Sequence, residues 1–491
     1  DQPDYAANLI EALGDAGYWL KKAGQPERGL ELYRRKDQVV DEGIQRYPNV
    51  SLFREEYIKR TNAKAHQLED EGRLPEAEKA YQQMLDESMK LRDEFPGAPA
   101  LSKSICRANL ALIRVARSLG RSEAEIETIR RRVAAEIDSL QQLSTEVFHT
   151  ADEQWQHAQA LYELGDFVRQ SGETAPAITA YRLCLDVRKD LAEKYPQEPK
   201  YRMGAAHAAR WLGGLVDGEA RRDAWELAEK LLIQLHKDAP DINDYAIFLA
   251  HTQMLLGGAL YHLGHEELAA EKLRQALTEH RRIWVEHPES QQLLRWEIGA
   301  SSNDAAWSLV AKSESTTNEA ELAVDLAKHA VDLFPDNVAF WNTLGTAQYR
   351  AGSWDASEEA LRKAMSLNNG GNPWNWFVLA MVTWQRGQHD QARHWFDAAC
   401  LWTAKYAADN PDLIHFRAEA QSLLEIEQLE TDAEIDDAMI SRALIAADPQ
   451  LMSYRLFKGR AEARIREFDW DAAKADAVRA TEMRPDDDDL L

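Results

Sequence analysis

The sequence predicts an all-α fold, a right-handed α-solenoid of about eleven stacked helical hairpins. Three observations predict it. Apolar residues recur at intervals of three and four throughout the chain and never in strict alternation, the spacing of amphipathic helices. Prolines recur at a near-regular step, each after a helical stretch and mostly after an aromatic, as in Tyr47-Pro48, Phe95-Pro96, Tyr195-Pro196 and Phe334-Pro335. Proline cannot continue a helix interior, so each marks the passage from one hairpin to the next. Finally, one register occurs twice in succession. Trp341, Leu344, Gly345, Tyr349, Gly352, Ala360 and Ala364 are answered by Trp376, Leu379, Ala380, Trp384, Gly387, Ala392, Phe396 and Ala399. Antiparallel helices approach closely only where one side chain is Gly or Ala, and Trp, Leu and Phe fill the space on either side.

That doubled register has the tetratricopeptide pattern, and the remaining units follow its rhythm. Residues 4–47 pair Leu9, Leu13, Gly14 and Tyr18 with Gly29, Leu32, Tyr33, Val40 and Ile44. Residues 51–95 turn at Gly72-Arg73-Leu74-Pro75 and continue through Ala77, Tyr81, Leu85 and Leu91. Residues 100–147 turn at Leu119-Gly120-Arg121-Ser122 and are the least regular. Residues 153–195 carry Leu161, Leu164, Gly165, Val168, Gly172, Ala177, Tyr181 and Cys184; residues 200–239 carry Trp211-Leu212-Gly213 and Trp225. Residues 244–287 hold Leu256-Gly257, Leu260, Gly264, Ala269, Leu273 and Ala276; residues 290–334 hold Asp304-Ala305-Ala306-Trp307 and a longer loop at Lys312–Asn318. Pro26, Pro75 and Pro176 sit at another phase, in the first turn of a helix, where a missing N–H costs nothing. Their distance to the next junction proline makes the second helix of the early units roughly 20 residues, about 30 Å long. The organisation expected is long-helix repeats over 1–335, compact repeats over 336–429, and a terminal hairpin with an acidic tail over 430–491. Within this last part, Glu430–Asp437 reads as an acidic link, residues 450–484 as a final hairpin, and Asp486–Asp489 as a solvated end.

Composition narrows the function. The chain has 491 residues and a formal net charge of −25, which repels phosphate backbones and anionic bilayers, so neither nucleic acid nor membrane insertion is expected. The densest basic run, Arg130-Arg131-Arg132, points in several directions on a helix and reads as a solvated face. Ala246–Gly264 is the least polar long stretch, but His251, Thr252, Gln253 and His262 interrupt it, as in a buried repeat helix. Cys106, Cys184 and Cys400 have no metal-ligand spacing and are expected as buried free thiols, which suits a reducing cytoplasm. No enzyme and no cofactor are indicated. His262/His265 and His389/His394 lack the one-face spacing of a zinc helix, and no Walker loop or nucleophile elbow is present.

Two phrases make the likeness more specific. One runs Ala180-Tyr181-Arg182, Leu185-Asp186-Val187-Arg188-Lys189, Tyr195-Pro196 and Pro199-Lys200-Tyr201-Arg202. The other runs Asp304-Ala305-Ala306-Trp307, Trp341-Asn342-Thr343-Leu344-Gly345, Tyr349-Arg350-Ala351-Gly352 and Trp376-Phe377 with Leu379-Ala380-Met381. In this order they resemble the tetratricopeptide (TPR) region that follows the kinase domain in planctomycete-type serine/threonine protein kinases. The resemblance implies a regulatory interaction region attached to a signalling module. It does not make these residues a kinase, since no glycine-rich loop, HRD loop or DFG triplet occurs in them.

A binding surface for a protein or peptide segment is the function expected. First helices of successive hairpins line the concave side of a solenoid. In the first compact hairpin Trp341, Leu344, Gly345 and Gln348 make the packing stripe, leaving Asn342, Thr346, Tyr349 and Arg350 on a second face. That face has hydrogen-bonding groups, an aromatic and a fork-shaped donor suited to a peptide backbone or carboxylate. The corresponding positions of the next hairpin are Phe377, Met381, Trp384 and Gln385. Trp374–Trp384 is apolar nearly all round, the composition of a helix either sandwiched by neighbours or exposing a patch. The Lys and Asn positions of carboxylate-clamp TPR domains are matched only by Asn342, so a clamp is not expected. The alternatives are that these residues are the non-catalytic part of a serine/threonine protein kinase polypeptide, or that a Trp-rich pocket senses a small molecule.

Overall fold

The computed structural model describes residues 3–95, 99–146, 150–287, 294–311, 315–368, 370–426, 435 and 437–448, with positions 474 and 478. The expected hairpin at 450–484 apart from positions 474 and 478, the tail at Asp486–Asp489 and most of the acidic link lie outside the described residues. Within them the chain is all-α and no strand occurs. The helices are α1 Pro3–Lys22, α2 Pro26–Arg46, α3 Ser51–Asp70, α4 Leu74–Glu94, α5 Pro99–Ser118, α6 Glu123–Glu146 and α7 Ala151–Gln170. Then come α8 Thr174–Lys194, α9 Pro199–Leu215, α10 Gly218–Asp238, α11 Asn243–His262, α12 Glu266–Glu286, α13 Arg295–Val310 and α14 Thr317–Leu333. The last are α15 Val338–Arg350, α16 Trp354–Leu367, α17 Pro373–Gln385, α18 His389–Tyr406, α19 Pro411–Leu423 and α20 Asp437–Ala447. The chain forms two compact units, Asp1–Leu231 and Leu232–Leu491.

In the first unit consecutive helices pack as hairpins, α1 with α2, α3 with α4, α5 with α6 and α7 with α8, and each hairpin stacks on the next. Helices α2, α4 and α8 are each 21 residues long, the length the proline spacing predicts. Its largest core gathers Ile113, Ile137, Leu161, Leu164, Tyr181 and Cys184 with the alanines Ala177, Ala180, Ala205 and Ala208. Ion pairs then tie one hairpin to the next. Arg114 donates to both carboxylate oxygens of Glu69 at 2.5 and 2.7 Å. Arg130, from the basic run, holds Glu173 with Nε–Oε2 2.9 Å. Cys106, Cys184 and Cys400 are all buried and free.

In the second unit the first helices α11, α13, α15, α17 and α19 lie side by side, each paired with its own second helix as far as α18. Helix length falls here, from 20 and 21 residues in α11 and α12 to 13, 14 and 13 in α15, α16 and α17. Close approach is set by glycine, as the sequence indicated. A Cβ on Gly345 would stand 2.6 Å from Leu361 Cγ, and one on Gly257 would stand 2.6 Å from Leu273 Cγ. The Gly345 carbonyl accepts a bond from Ser357 Oγ at 2.6 Å, which locks the two helices at their crossing. Turn glycines act differently. Gly352 has φ +72° with nothing near its missing Cβ, so backbone conformation alone demands it.

Two sequence expectations are corrected. Pro373 and Pro411 continue the step of the junction prolines and by it are expected to follow a helix end, but they open α17 and α19 at the N-terminal position. The reason is the residue before each. Asn372 and Asn410 accept from the backbone N–H groups of Asn375 and Leu413 at 3.1 and 3.0 Å, making them N-caps that proline can follow. Second, residues 437–447 form a helix, α20, where the sequence pattern placed only the end of a link. Its Ile440, Leu444 and Ala447 enter the core of α17, α18 and α19.

Candidate functional site

The sequence places a candidate surface on the first helices α15 and α17, and the packing of those helices decides which of its residues reach solvent. Helix α17 touches α15, α16, α18 and α19. Its apolar circumference is accordingly consumed, with Phe377, Val378, Leu379, Ala380, Met381 and Val382 all buried. Phe377 meets Phe396 edge-on with ring centroids 6.0 Å apart. Phe377 and Met381 therefore present no surface. Thr346 is buried as well and returns its hydroxyl to the Asn342 carbonyl at 3.0 Å.

Arg350 has no free guanidinium. Nη2 donates to Glu419 Oε2 at 2.8 Å, Nη1 to Glu419 Oε1, and Nε to the Val310 carbonyl at 3.1 Å. One side chain on α15 thus binds both α13 and α19. The same closure is seen in the rings, since Trp307 of α13 stacks on Phe416 of α19 with centroids 5.8 Å apart. Arg350, Glu419, Trp307 and Phe416 are thus taken up by contacts within the chain. Asn342 accepts a hydrogen bond from Asn375 Nδ2, in turn part of the α17 capping box.

Four of the expected residues keep exposed surface. Asn342, Tyr349 and Trp384 are half-buried and Gln385 is exposed. Burial pushes the Tyr349 hydroxyl up to about 12, with the Glu419 carboxylate adding to it and Arg350 and a bond to Gln385 opposing it. Trp384 packs edge-on against His389 with centroids 4.1 Å apart. Tyr349 and Gln385 are brought together; Trp384 lies one residue away from Gln385 and points to the turn.

A concavity that the sequence reading missed lies between α18, α19 and α20 and encloses about 540 Å³. From α18 it receives His394, Asp397 and Leu401, from α19 Arg417, and from α20 Met439 and Arg442. Burial raises the Asp397 carboxyl above its ordinary range, against the pull of His394 and Arg393. Residues 394, 397, 401 and 404 recur at three and four along α18, a stripe distinct from its core stripe. That spacing was the available signal; without α20 in view it had no opposite wall. Among the described residues no group of three His, Cys, Asp or Glu side chains could hold a metal ion. Among them, too, no helix is long and apolar enough to cross a membrane.

No protein-family model matches this chain, and no curated protein matches it. Solved structures similar to it include the apo form of RapI, at 11% identity and TM-score 0.37, covering 75% of this chain and 96% of that one. Pseudomonas aeruginosa pilF is similar at 14% identity and TM-score 0.32, over 55% of this chain and 99% of that one. A thermophilic TPR protein of Thermus thermophilus is similar at 16% identity and TM-score 0.20, over 55% of this chain and 100% of that one.

Proposed function

We propose that the chain is a protein–protein interaction scaffold whose preformed helical surface binds a partner segment and passes its presence to an attached signalling module. The observation that supports this best is the ordered row of first helices α11, α13, α15, α17 and α19. Such a row offers many side chains along one extended surface at no ordering cost. The binding residues proposed are the accessible members of the expected set, Asn342, Tyr349, Trp384 and Gln385, with Thr346, Arg350, Phe377 and Met381 shaping the helices beneath them. The test is selection of a phage-displayed peptide library on the full chain. Enrichment of a peptide family that Tyr349→Ala with Trp384→Ala no longer retains supports the surface; enrichment of nothing counts against the scaffold.

The attached module proposed is a serine/threonine kinase of the planctomycete type, on the strength of the two phrases around Tyr181 and Trp341. The protein is placed in the cytoplasm by the same reading, which three buried free thiols suit. Reading the codons upstream of Asp1 tests the kinase link. An HRD and DFG pair there supports it, and an initiator Met immediately before Asp1 removes it.

A further inference from the structure

The cleft between α18, α19 and α20 differs in charge from the rest of a chain whose net charge is −25. Elsewhere in these helices arginines at inter-helix positions hold carboxylates. Arg350 holds Glu419, Arg362 holds Asp448, and Arg386 holds Glu358 and Asp355. Arg417 and Arg442 both line the cleft, and neither is in an ion pair among the described residues. The cleft itself is firmly built. Arg362 of α16 bonds Asp448 just past α20, Gln391 of α18 donates to the Ala447 carbonyl at 2.8 Å, and Ile440 and Leu444 anchor α20 in the core.

We propose that this cleft docks an acidic peptide segment of a partner protein, its carboxylates on Arg417 and Arg442 and its apolar side chains against Leu401 and Met439. A planar guanidinium matches a carboxylate with two parallel hydrogen bonds, and a charge-assisted bond of this kind is stronger than a neutral one. Two such forks on α19 and α20, beside an apolar floor on α18, select a segment in which acidic and aliphatic residues alternate. Asp397, on α18 beside Leu401, repels a second carboxylate there and leaves that side to the segment's backbone N–H groups, with His394 one turn away. The occupant follows from charge: two cations with no acidic partner among the described residues, in a markedly acidic chain, complement an anion and disfavour a basic segment. This surface is separate from the one around Tyr349, and the proposal rests on the interaction reading above.

The test uses the full chain as bait for a phage-displayed dodecapeptide library. The expected result is enrichment of peptides with Asp or Glu within a few positions of Leu, Ile or Phe. A fluorescein-labelled member of that set should bind about tenfold more weakly to Arg417→Gln with Arg442→Gln. It should also weaken as salt rises from about 0.05 to 0.5 M. Ala404→Trp, which fills the mouth of the cleft and leaves both arginines, should block the same peptide while helicity stays unchanged. Enriched peptides that are neutral or basic, or acidic ones insensitive to both variants, overturn the cleft and leave the scaffold reading standing. No enrichment at all overturns both.

Discussion

Arg350 and Glu419 close on each other from first helices two hairpins apart, with both terminal nitrogens of the guanidinium donating to both carboxylate oxygens. Only 5% of the arginine side chain and 15% of the glutamate side chain meet solvent. Through this pair and the bond to the Val310 carbonyl, Arg350 ties α15 to both α13 and α19. Removing one partner leaves a buried charge uncompensated, which costs about 3–5 kcal/mol; replacing both by apolar residues of similar size costs far less. Glu419→Ala is therefore expected to lower the urea midpoint sharply, and Arg350→Met with Glu419→Leu to recover most of the loss. Tryptophan fluorescence reads both, and a Glu419→Ala cost below about 1 kcal/mol would show that water screens the pair.

Two glycines seven residues apart are expected to fail for different reasons. At Gly345 the added methyl meets Leu361 Cγ at 2.6 Å, an overpacking cost of about 1–3 kcal/mol. At Gly352 the methyl meets nothing, but φ of +72° costs an L-residue roughly 1–2 kcal/mol. The two are separated by a second site. Leu361→Ala should relieve part of the Gly345→Ala cost, so that the double variant is more stable than the sum of the singles. The same Leu361→Ala should be purely additive with Gly352→Ala.

These two glycines also mark what was legible in the sequence. The close approach at Gly345, the turn at Gly352 and second helices of about 20 residues all follow from local spacing and turn chemistry. The fate of the α17 surface did not. Periodicity shows that Phe377 and Met381 are apolar; only the positions of α18 and α19 show that every side of α17 is covered. Arg350 was legible as a polar tip on α15, but its carboxylate lies on a helix two hairpins later, and repeat spacing carries no signal for such a contact. The α18–α20 cleft was hidden for a related reason, since one of its walls is a helix that the residue pattern did not single out.

Four desolvated histidines make stability depend on pH well above the carboxylate range. Burial lowers His157, His207 and His329 to about 4 and His280 to about 3. His280 and His329 stack with centroids 5.9 Å apart; the nearby His329 lowers His280 further, and the Arg281 guanidinium lowers His329. In the unfolded chain these groups take up a proton near pH 6.5, whereas in the fold they stay neutral. Stability is thus fully present above pH 6.5 and is lost as pH falls through the folded values, by up to ~1.4 kcal/mol per pH unit for each histidine. Urea midpoints should fall between pH 6.5 and 5, before most carboxylates titrate. His280→Leu with His329→Leu should flatten that slope by about half, and an unchanged slope would assign it to other groups.

The surface proposed at Tyr349 and Trp384 makes the last prediction, and its test depends on how much packing each ring supplies. Both are half-buried and lie against the core of α17 and α18, so truncation has a structural cost as well as any binding cost. A fully buried aromatic loses about 3–5 kcal/mol on truncation to alanine, and half-buried rings should lose about half of that. Tyr349→Ala with Trp384→Ala is expected to keep its helicity and a cooperative, modestly lowered melting transition while losing peptide capture at this face. Tyr349→Phe separates the two roles, since it keeps the ring packing and removes only the hydroxyl that Gln385 bonds. If Tyr349→Phe retains capture and the double alanine variant unfolds, the two rings belong to the core and the partner binds elsewhere. If the double variant stays folded and capture is lost, the rim of α15 and α17 is the contact surface.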